Sequence, residues 1–470
     1  MGIERWLTQI LSLLIYVVLA RLVGPTSFGL IALAGVYVAF IGVFVNQGFE
    51  TTLVQRKDLD AWHLDSAFWV NLLMATALAL GSIVLSDQLA VLFGEPQLAE
   101  VLRWLSCVLI LNSLSCIPRM VLARSMSFQS LAIRSLLATI TGGAVGLRMA
   151  WDGLGVWSLV GQQLSSALVG AAFLWWATSW RPSFHISRRH LRDLYGFAIN
   201  ILGNEILYFG SQRMDQALIG FAFGASALGP YALAAKVRSL LWDLLTKPLE
   251  IVALPAFSRL QDERGRLCNA FYNCTEVVAV VTVPAFCGLA ALAPSFVPAI
   301  FGAEWLPSVP LLQILALYGL ACVPLSFGYP LMTATGRPGV YTILYLFQTC
   351  LTFGFCLLAV MWSPTTVACA VFLAMAVYSV VFLAVCRKLV GISIRVLMSR
   401  LWAPTLVAMV MFGAVSAFQS LAGERLGALV TTFAGSLLGA SIYCAGMVVL
   451  RPELLRQLMQ DLLRVTRIAA

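Results

Sequence analysis

Charged residues are scarce in this chain of 470 residues: they make up 11% of it, whereas apolar residues make up 60%. A water-soluble domain carries roughly a quarter charged residues, so a single aqueous core is excluded and lipid is the expected solvent. The sequence also lacks a Walker A loop, an HExxH zinc motif and a serine-nucleophile elbow. These absences argue against ATP hydrolysis by that route and against zinc or serine hydrolases.

Metal-binding and disulfide patterns are lacking too. The chain has three histidines, and its eleven cysteines do not form a CxxC pair. Most cysteines, such as Cys107 and Cys356, lie inside apolar segments, where small packing residues are expected. We therefore predict no metal site, no disulfide framework and no cofactor. The net charge of +9 is spread over alternate loops and does not form one stripe, so we expect no nucleic-acid partner.

Long apolar runs are what the sequence does contain. A spanning helix needs roughly 20 apolar residues, and about fourteen runs meet that length. We therefore predict an all-α integral membrane protein with about 14 transmembrane helices. The predicted spans are 3–22, 27–48, 65–85, 98–118, 127–149, 154–177, 194–222, 226–250, 268–292, 307–332, 339–361, 366–386, 401–421 and 426–449.

The cations between these runs fix an orientation. Most fall on one side of the predicted helices, and the positive-inside rule places that side in the cytoplasm. An even number of helices then places both termini in the cytoplasm. The cations assigned to this side are Arg56, Lys57, Arg119, Arg124, Arg181, Arg188, Arg189, Arg192, Arg259, Arg264, Arg266, Arg337, Arg387, Lys388, Arg395 and Arg400.

A short phrase occurs twice in the chain. Gly24, Gly29 and the run 32–34 recur 200 positions later as Gly224, Gly229 and the run 232–234. Each copy bridges two long apolar segments, which predicts two similar six-helix bundles that face each other. Internal repeats of this kind are typical of alternating-access transporters.

The repeat and the charge pattern together divide the chain. The predicted parts are an N-terminal lobe (1–179), a basic cytoplasmic linker (180–193), a C-terminal lobe (194–389), two further helices (390–450) and an amphipathic cytoplasmic tail (451–470). Loops are short throughout, which argues against glycan polymerases and ligases that need large external loops.

The seventh predicted helix carries the richest set of polar side chains. Polar residues at helical spacing occupy an arc of about 80° on its surface. A stripe of this length must face water or another polar helix, so we predict that it lines a cavity, and a hydrogen-bonded helix–helix seam is the alternative. The stripe consists of Asn200, Asn204, Tyr208, Ser211 and Asp215.

Ionisable groups inside apolar segments are functional candidates, because they are costly in a bilayer without a partner or a cavity. The cations Arg134, Arg213 and Lys236 are candidates for substrate binding. Arg134 fits equally well as a residue that lines a cytoplasmic opening or that reaches lipid head groups. The candidates for a proton or sodium site are Glu205, Asp215 and Asp243.

Several phrases resemble the polysaccharide (Wzx-type) flippases of the MOP exporter superfamily. They are the runs 20–25 and 28–29, followed by 53–56, then Asp215 with 218–220, 228–229 and Tyr231, and finally 254–261 and 335–338. Their order and spacing extend the resemblance over nearly the whole chain.

The resemblance implies two six-helix lobes plus two helices, and a secondary transporter with no enzymatic activity. It implies a substrate of undecaprenyl diphosphate that carries an oligosaccharide, moved across the bacterial inner membrane. A polysaccharide polymerase and chain-length machinery are the implied partners. The family's cationic cavity matches Arg134, Arg213 and Lys236 in residue type.

Three other functions stay open on the sequence. A multidrug exporter of the same superfamily would favour an acidic cavity and organic cations, and a flippase for lipid-linked peptidoglycan precursors would share the architecture. A membrane glycan-modifying enzyme would need a cluster of catalytic carboxylates or histidines near a membrane face, which the sequence does not suggest.

Overall fold

The computed structural model describes residues 2–46, 53 and 60–453. Within these ranges the regular structure consists of α-helices and two short 3₁₀ helices, Ala303–Trp305 and Val323–Leu325. Eleven helices of the described part are long and apolar enough to cross a membrane, which confirms the predicted fold class. The predicted loop cations Arg56 and Lys57, and the tail from residue 454 onward, lie outside the described residues.

The helices follow the predicted order, and each predicted span overlaps a helix. Their bounds are α1 Gly2–Val23, α2 Pro25–Asn46, α3 Ala61–Phe93, α4 Gln97–Arg124, α5 Phe128–Trp151, α6 Val156–Ala177, α7 Arg188–Ser258, α8 Arg264–Ile300, α9 Ser308–Cys322, α10 Gly328–Ala334, α11 Pro338–Ala359, α12 Pro364–Leu389, α13 Ile394–Leu426 and α14 Ala428–Leu450.

Helix α3 runs well beyond its predicted end at residue 85. The polar residues after that point stay helical because they have partners: Ser86 Oγ donates to the carbonyl of Ile83 at 2.7 Å, and Asp87 pairs with Arg103 at 2.6 Å. The helix ends at Gly94, whose φ of 67° closes the last turn. The loop before α4 is therefore a tight turn, shorter than the segment of 12 residues between the predicted spans 65–85 and 98–118.

The predicted span 307–332 is interrupted. Helix α9 ends at Cys322 and α10 begins at Gly328, with the 3₁₀ helix around Pro324 between them. Proline lacks a backbone N–H and its ring clashes with the preceding turn, so it kinks or breaks a regular helix.

Several predicted loop cations lie on helices, because the helices extend past the apolar runs. Arg400 is the clearest correction: it lies within α13 and pairs with Glu276 of α8 at 2.9 Å. The Glu276 side chain is only 5% exposed and that of Arg400 is 32% exposed, so this pair connects two helices at the edge of the interior.

The chain divides into two compact units, Met1–Ala232 and Leu233–Ala470. In the first unit α3 packs along α4 and α5 along α6; in the second, α8 packs along α9 and α13. Large buried aromatic side chains centre the second unit, among them Phe257, Phe271 and Phe382. The lobe boundaries predicted from the repeat, including the linker at 180–193, stay predictions.

Candidate functional site

Both copies of the repeated phrase begin with a glycine in the left-handed region. Gly24 has a φ of 79° and separates α1 from α2. Gly224 has a φ of 75° and breaks α7 into two halves. Because only glycine adopts this conformation readily, the repeat marks a required break in each copy.

The second glycines of the two copies pack against each other. A Cβ atom added to Gly29 would lie 1.7 Å from the carbonyl oxygen of Ala225, and one added to Gly229 would lie 2.0 Å from the carbonyl oxygen of Pro25. These contacts are reciprocal, since residues 25 and 225 occupy the same place in the two copies. The backbone of α2 therefore touches the second half of α7 without side chains between them.

A carboxylate caps the break in α7. Glu95 lies in the turn between α3 and α4, and its Oε1 atom accepts the backbone N–H of Ala225 at 2.8 Å. The first N–H groups of a helix lack internal partners and carry the positive end of its dipole. Glu95 satisfies one of these donors and complements the charge. The sequence Gly-Glu-Pro at residues 94–96 indicates a turn, but nothing local shows which helix end that turn meets.

Asp215 links the two halves of α7. Its carboxylate accepts the hydroxyl of the buried Tyr231 at 2.5 Å and the backbone N–H of Gln216 at 2.8 Å. Arg213 is exposed and donates to the side-chain oxygen of Gln216 at 3.1 Å. The predicted ligand Arg213 and the predicted ion site Asp215 therefore belong to one polar network, which also spans the break at Gly224.

The rest of the predicted stripe lies on the open face of α7. Asn204 and Tyr208 are exposed, and Ser211 is half-buried. Glu205, the candidate ion site beside the stripe, is exposed as well. The neighbouring Phe209 packs against Phe40 of α2, with ring centroids 5.3 Å apart. The polar face is thus open within this unit, as cavity lining requires. Asn200 lies on α7, and its side chain is outside the described part of the structure.

The remaining candidates lie on other elements. Arg134 of α5 is half-buried beside Gly170 of α6, and its Nε and Nη2 atoms would lie 3.0 Å from a Cβ at that glycine. Lys236 is exposed in the second unit. Asp243 pairs with Lys247 at 3.0 Å. The predicted binding and coupling roles of all three stay predictions.

Comparison with known proteins identifies the family. The family described as "Polysaccharide biosynthesis protein" matches residues 18–310. This chain belongs to that family. The chain is 30% identical over 325 residues to the succinoglycan biosynthesis transport protein ExoT of Rhizobium meliloti, which covers 69% of this chain and 65% of ExoT. It is 25% identical over 313 residues to the lipopolysaccharide biosynthesis protein WzxC of Escherichia coli, which covers 66% of this chain and 63% of WzxC. The match thus spans somewhat less than two thirds of either relative's length.

Solved structures establish the fold of this family member. The lipid II flippase MurJ, in an inward closed conformation, superposes with a TM-score of 0.80 at 16% identity and covers 97% of this chain and 99% of its own. An inward-facing multidrug MATE transporter of the MOP superfamily gives a TM-score of 0.62 at 16% identity, over 82% of this chain and 94% of its own. The predicted resemblance to a polysaccharide family is therefore confirmed by the family match and by ExoT, and the fold is one that this chain shares with MurJ and the MATE transporter.

Proposed function

We propose that this protein moves undecaprenyl-diphosphate-linked oligosaccharide repeat units across the bacterial inner membrane for assembly of a surface polysaccharide. Membership of the polysaccharide biosynthesis family, with ExoT named as a transport protein, is the observation that carries the proposal. The fold supports it, because the same helical arrangement serves a lipid II flippase. A lipid-linked glycan needs a polar route for its head and a bilayer for its tail.

In this proposal the diphosphate enters from the cytoplasm, where both termini also lie. Arg134, Arg213 and Lys236 hold it through charge-assisted contacts, which are stronger than neutral hydrogen bonds. The stripe formed by Asn200, Asn204, Tyr208 and Ser211 contacts the sugars. The two lobes then rock to open outward, and a polymerase with its chain-length machinery receives the unit on the far side.

Coupling of transport to a proton or sodium gradient would depend on carboxylates. Glu205, Asp215 and Asp243 are the candidate proton or sodium sites. Each is to be replaced by its amide, alone and together, and transport is measured against pH and against sodium concentration. The coupling proposal fails if the triple variant keeps the same pH and sodium dependence as the unchanged protein.

The direct experiment follows the lipid-linked glycan in a deletion strain. Undecaprenyl diphosphate oligosaccharides are extracted, and the leaflet that holds them is determined with a membrane-impermeant glycosidase. The proposal expects a complete repeat unit on the cytoplasmic side together with loss of surface polysaccharide. Complete units that accumulate on the outer side would contradict it and would place the defect at a later step of assembly.

Complementation with variants tests the polar face of α7. Asn204→Ala and Tyr208→Ala are expected to restore surface polysaccharide poorly at normal protein levels. Ser441→Ala is the matched control, because Ser441 is exposed on α14 and its hydroxyl bonds only the preceding turn, to Leu437. Equal complementation by all three variants would contradict a substrate role for this face.

The alternative substrates give different phenotypes. Loss of a multidrug exporter would raise sensitivity to organic cations and leave surface glycan intact. Loss of a peptidoglycan-precursor flippase would reduce cell-wall synthesis before it reduced the amount of surface polysaccharide. Drug-sensitivity and cell-wall labelling assays on the same deletion strain separate these outcomes from the proposed one.

A further inference from the structure

The three histidines of the chain gather at one place in the first unit. His63 lies in the first turn of α3, His190 lies in the first turn of α7, and His185 lies just before α7. The indole ring of Trp62 packs against both His185 and His190, with ring centroids 4.3 and 6.4 Å apart. This grouping brings His63 beside His185 and His190, which lie more than 120 residues later in the chain.

Two of these histidines lie close to a carboxylate. The ligand atoms of Asp60, His63 and His190 all lie within 4.8 Å of one another. The imidazole rings of His63 and His190 meet edge to face, with centroids 4.3 Å apart. A tetrahedral zinc ion holds its ligand atoms about 3.4 Å apart, so modest side-chain rotations would bring the three donors onto one ion.

The surroundings suit metal binding by these rings. His190 Nδ1 lies 2.7 Å from Ser187 Oγ, which leaves Nε2 for a metal, and metal-bound histidines commonly use their second nitrogen in this way. His63 Nδ1 accepts a long hydrogen bond of 3.3 Å from the backbone N–H of Asp60, a weak contact that a bound metal would readily replace. Asp60 is exposed while His63 is buried, so the group is reachable from one side.

The segment before α7 is held firmly against α3. Ser183 Oγ donates to the Asp65 carboxylate, and Trp69 Nε1 donates to the carbonyl of Ser183 at 2.9 Å. The backbone N–H of Ser187 donates to Ser66 Oγ at 3.0 Å. These contacts fix the start of α7 beside the start of α3. Little conformational entropy would therefore be lost when the three side chains bind an ion.

We propose that Asp60, His63 and His190 form a binding site for a divalent transition-metal ion of the zinc type. Two imidazoles and one carboxylate suit zinc, cobalt or nickel better than calcium or magnesium, which prefer oxygen ligands. Both histidines lie at the positive end of a helix dipole, so the Asp60 carboxylate supplies the negative charge that the site needs. A bound ion would join the first turn of α3 to the first turn of α7. The sequence alone predicts no metal site, and the proposed site replaces that prediction.

The test is metal binding by the full-length protein, purified in detergent, stripped with a chelator and freed of any histidine tag. Equilibrium dialysis against Zn²⁺ gives the stoichiometry, and Co²⁺ absorption reports the ligands, since cobalt–thiolate bonds add an intense near-ultraviolet band. We expect one equivalent per chain without that band, and at least a tenfold weaker affinity in His63→Ala and His190→Ala.

His185→Ala is the matched control, because His185 packs on the same Trp62 ring but is not among the three clustered ligands. It is expected to bind metal like the unchanged protein. Asp60→Asn tests the site without loss of a buried side chain, and it should also weaken binding at least tenfold. The proposal is overturned if the unchanged protein binds no stoichiometric metal, if the thiolate band dominates, or if His185→Ala and Asp60→Asn do not differ.

Discussion

The reciprocal glycine contact makes a quantitative prediction. A methyl group on Gly29 would stand 1.7 Å from the carbonyl oxygen of Ala225, and one on Gly229 would stand 2.0 Å from that of Pro25. Ordinary contact begins near 3.4 Å, so α2 and the second half of α7 must part by about 1.7 or 1.4 Å, respectively. Because the obstructing atoms are backbone, they cannot rotate away as a side chain can. We expect each alanine variant to cost at least the upper end of ordinary overpacking, about 3 kcal/mol.

The assay is unfolding of the purified protein in detergent, compared with Gly35→Ala. Gly35 lies in the same helix with open space around it, so alanine there should be neutral or should stabilise by about 0.5–1 kcal/mol. The double variant Gly29→Ala with Gly229→Ala is the sharper test. Once one methyl group has parted the helices, the second finds room, so the double variant should cost less than the sum of the single variants. The contact would be refuted if Gly29→Ala were as stable as Gly35→Ala. It would also be refuted if the losses in unfolding free energy of the two single variants added up to that of the double variant.

Three further predictions concern polar contacts, and all are checked by the same unfolding assay. Glu95→Gln keeps an acceptor for the N–H at the break in α7 but loses the charge, so it should cost at most about 1 kcal/mol, and the loss should shrink in high salt. Tyr231→Phe removes the hydroxyl that donates to Asp215 and should lower the free energy of unfolding by about 1–2 kcal/mol. An unchanged stability would mean that water replaces the hydroxyl as the donor to Asp215. Glu276→Gln weakens a charge-assisted hydrogen bond between the buried Glu276 and the partly exposed Arg400 and should cost about 2 kcal/mol, whereas Asp87→Asn, which breaks an exposed pair, should cost under about 1 kcal/mol. Equal losses in these last two variants would contradict the difference in burial.

Apolar runs predicted the helices because a bilayer imposes a minimum length on each span. The two phrases that begin with Gly24 and Gly224 predicted the repeat, and the structure gives both glycines a positive φ. Helix ends were less predictable. Helix α3 continues past Asp87, which pairs with Arg103 of α4, and hydropathy alone counts both residues only as charges.

Contacts between distant helices could not be predicted from this sequence. Hydropathy places a helix in the membrane but does not give its rotation about its own axis, which decides whether Glu276 meets Arg400 or lipid. The same limit applies to the candidate site. Asp215 was identified from its position on a polar stripe, whereas its partner Tyr231 lies beyond the break in the helix. Nothing local in the sequence links His63 to His190.

The contact between the two repeats has the form of an isologous dimer interface. Residue 29 meets residues 225 and 229, while residue 229 meets residues 25 and 29, as equivalent positions do across a two-fold axis. Here one polypeptide carries both halves of that interface. The two patches therefore associate within one molecule, at an effective concentration that the connecting chain sets. A substitution at one glycine consequently displaces the backbone of both copies. The sequences of the two segments are therefore constrained to change together.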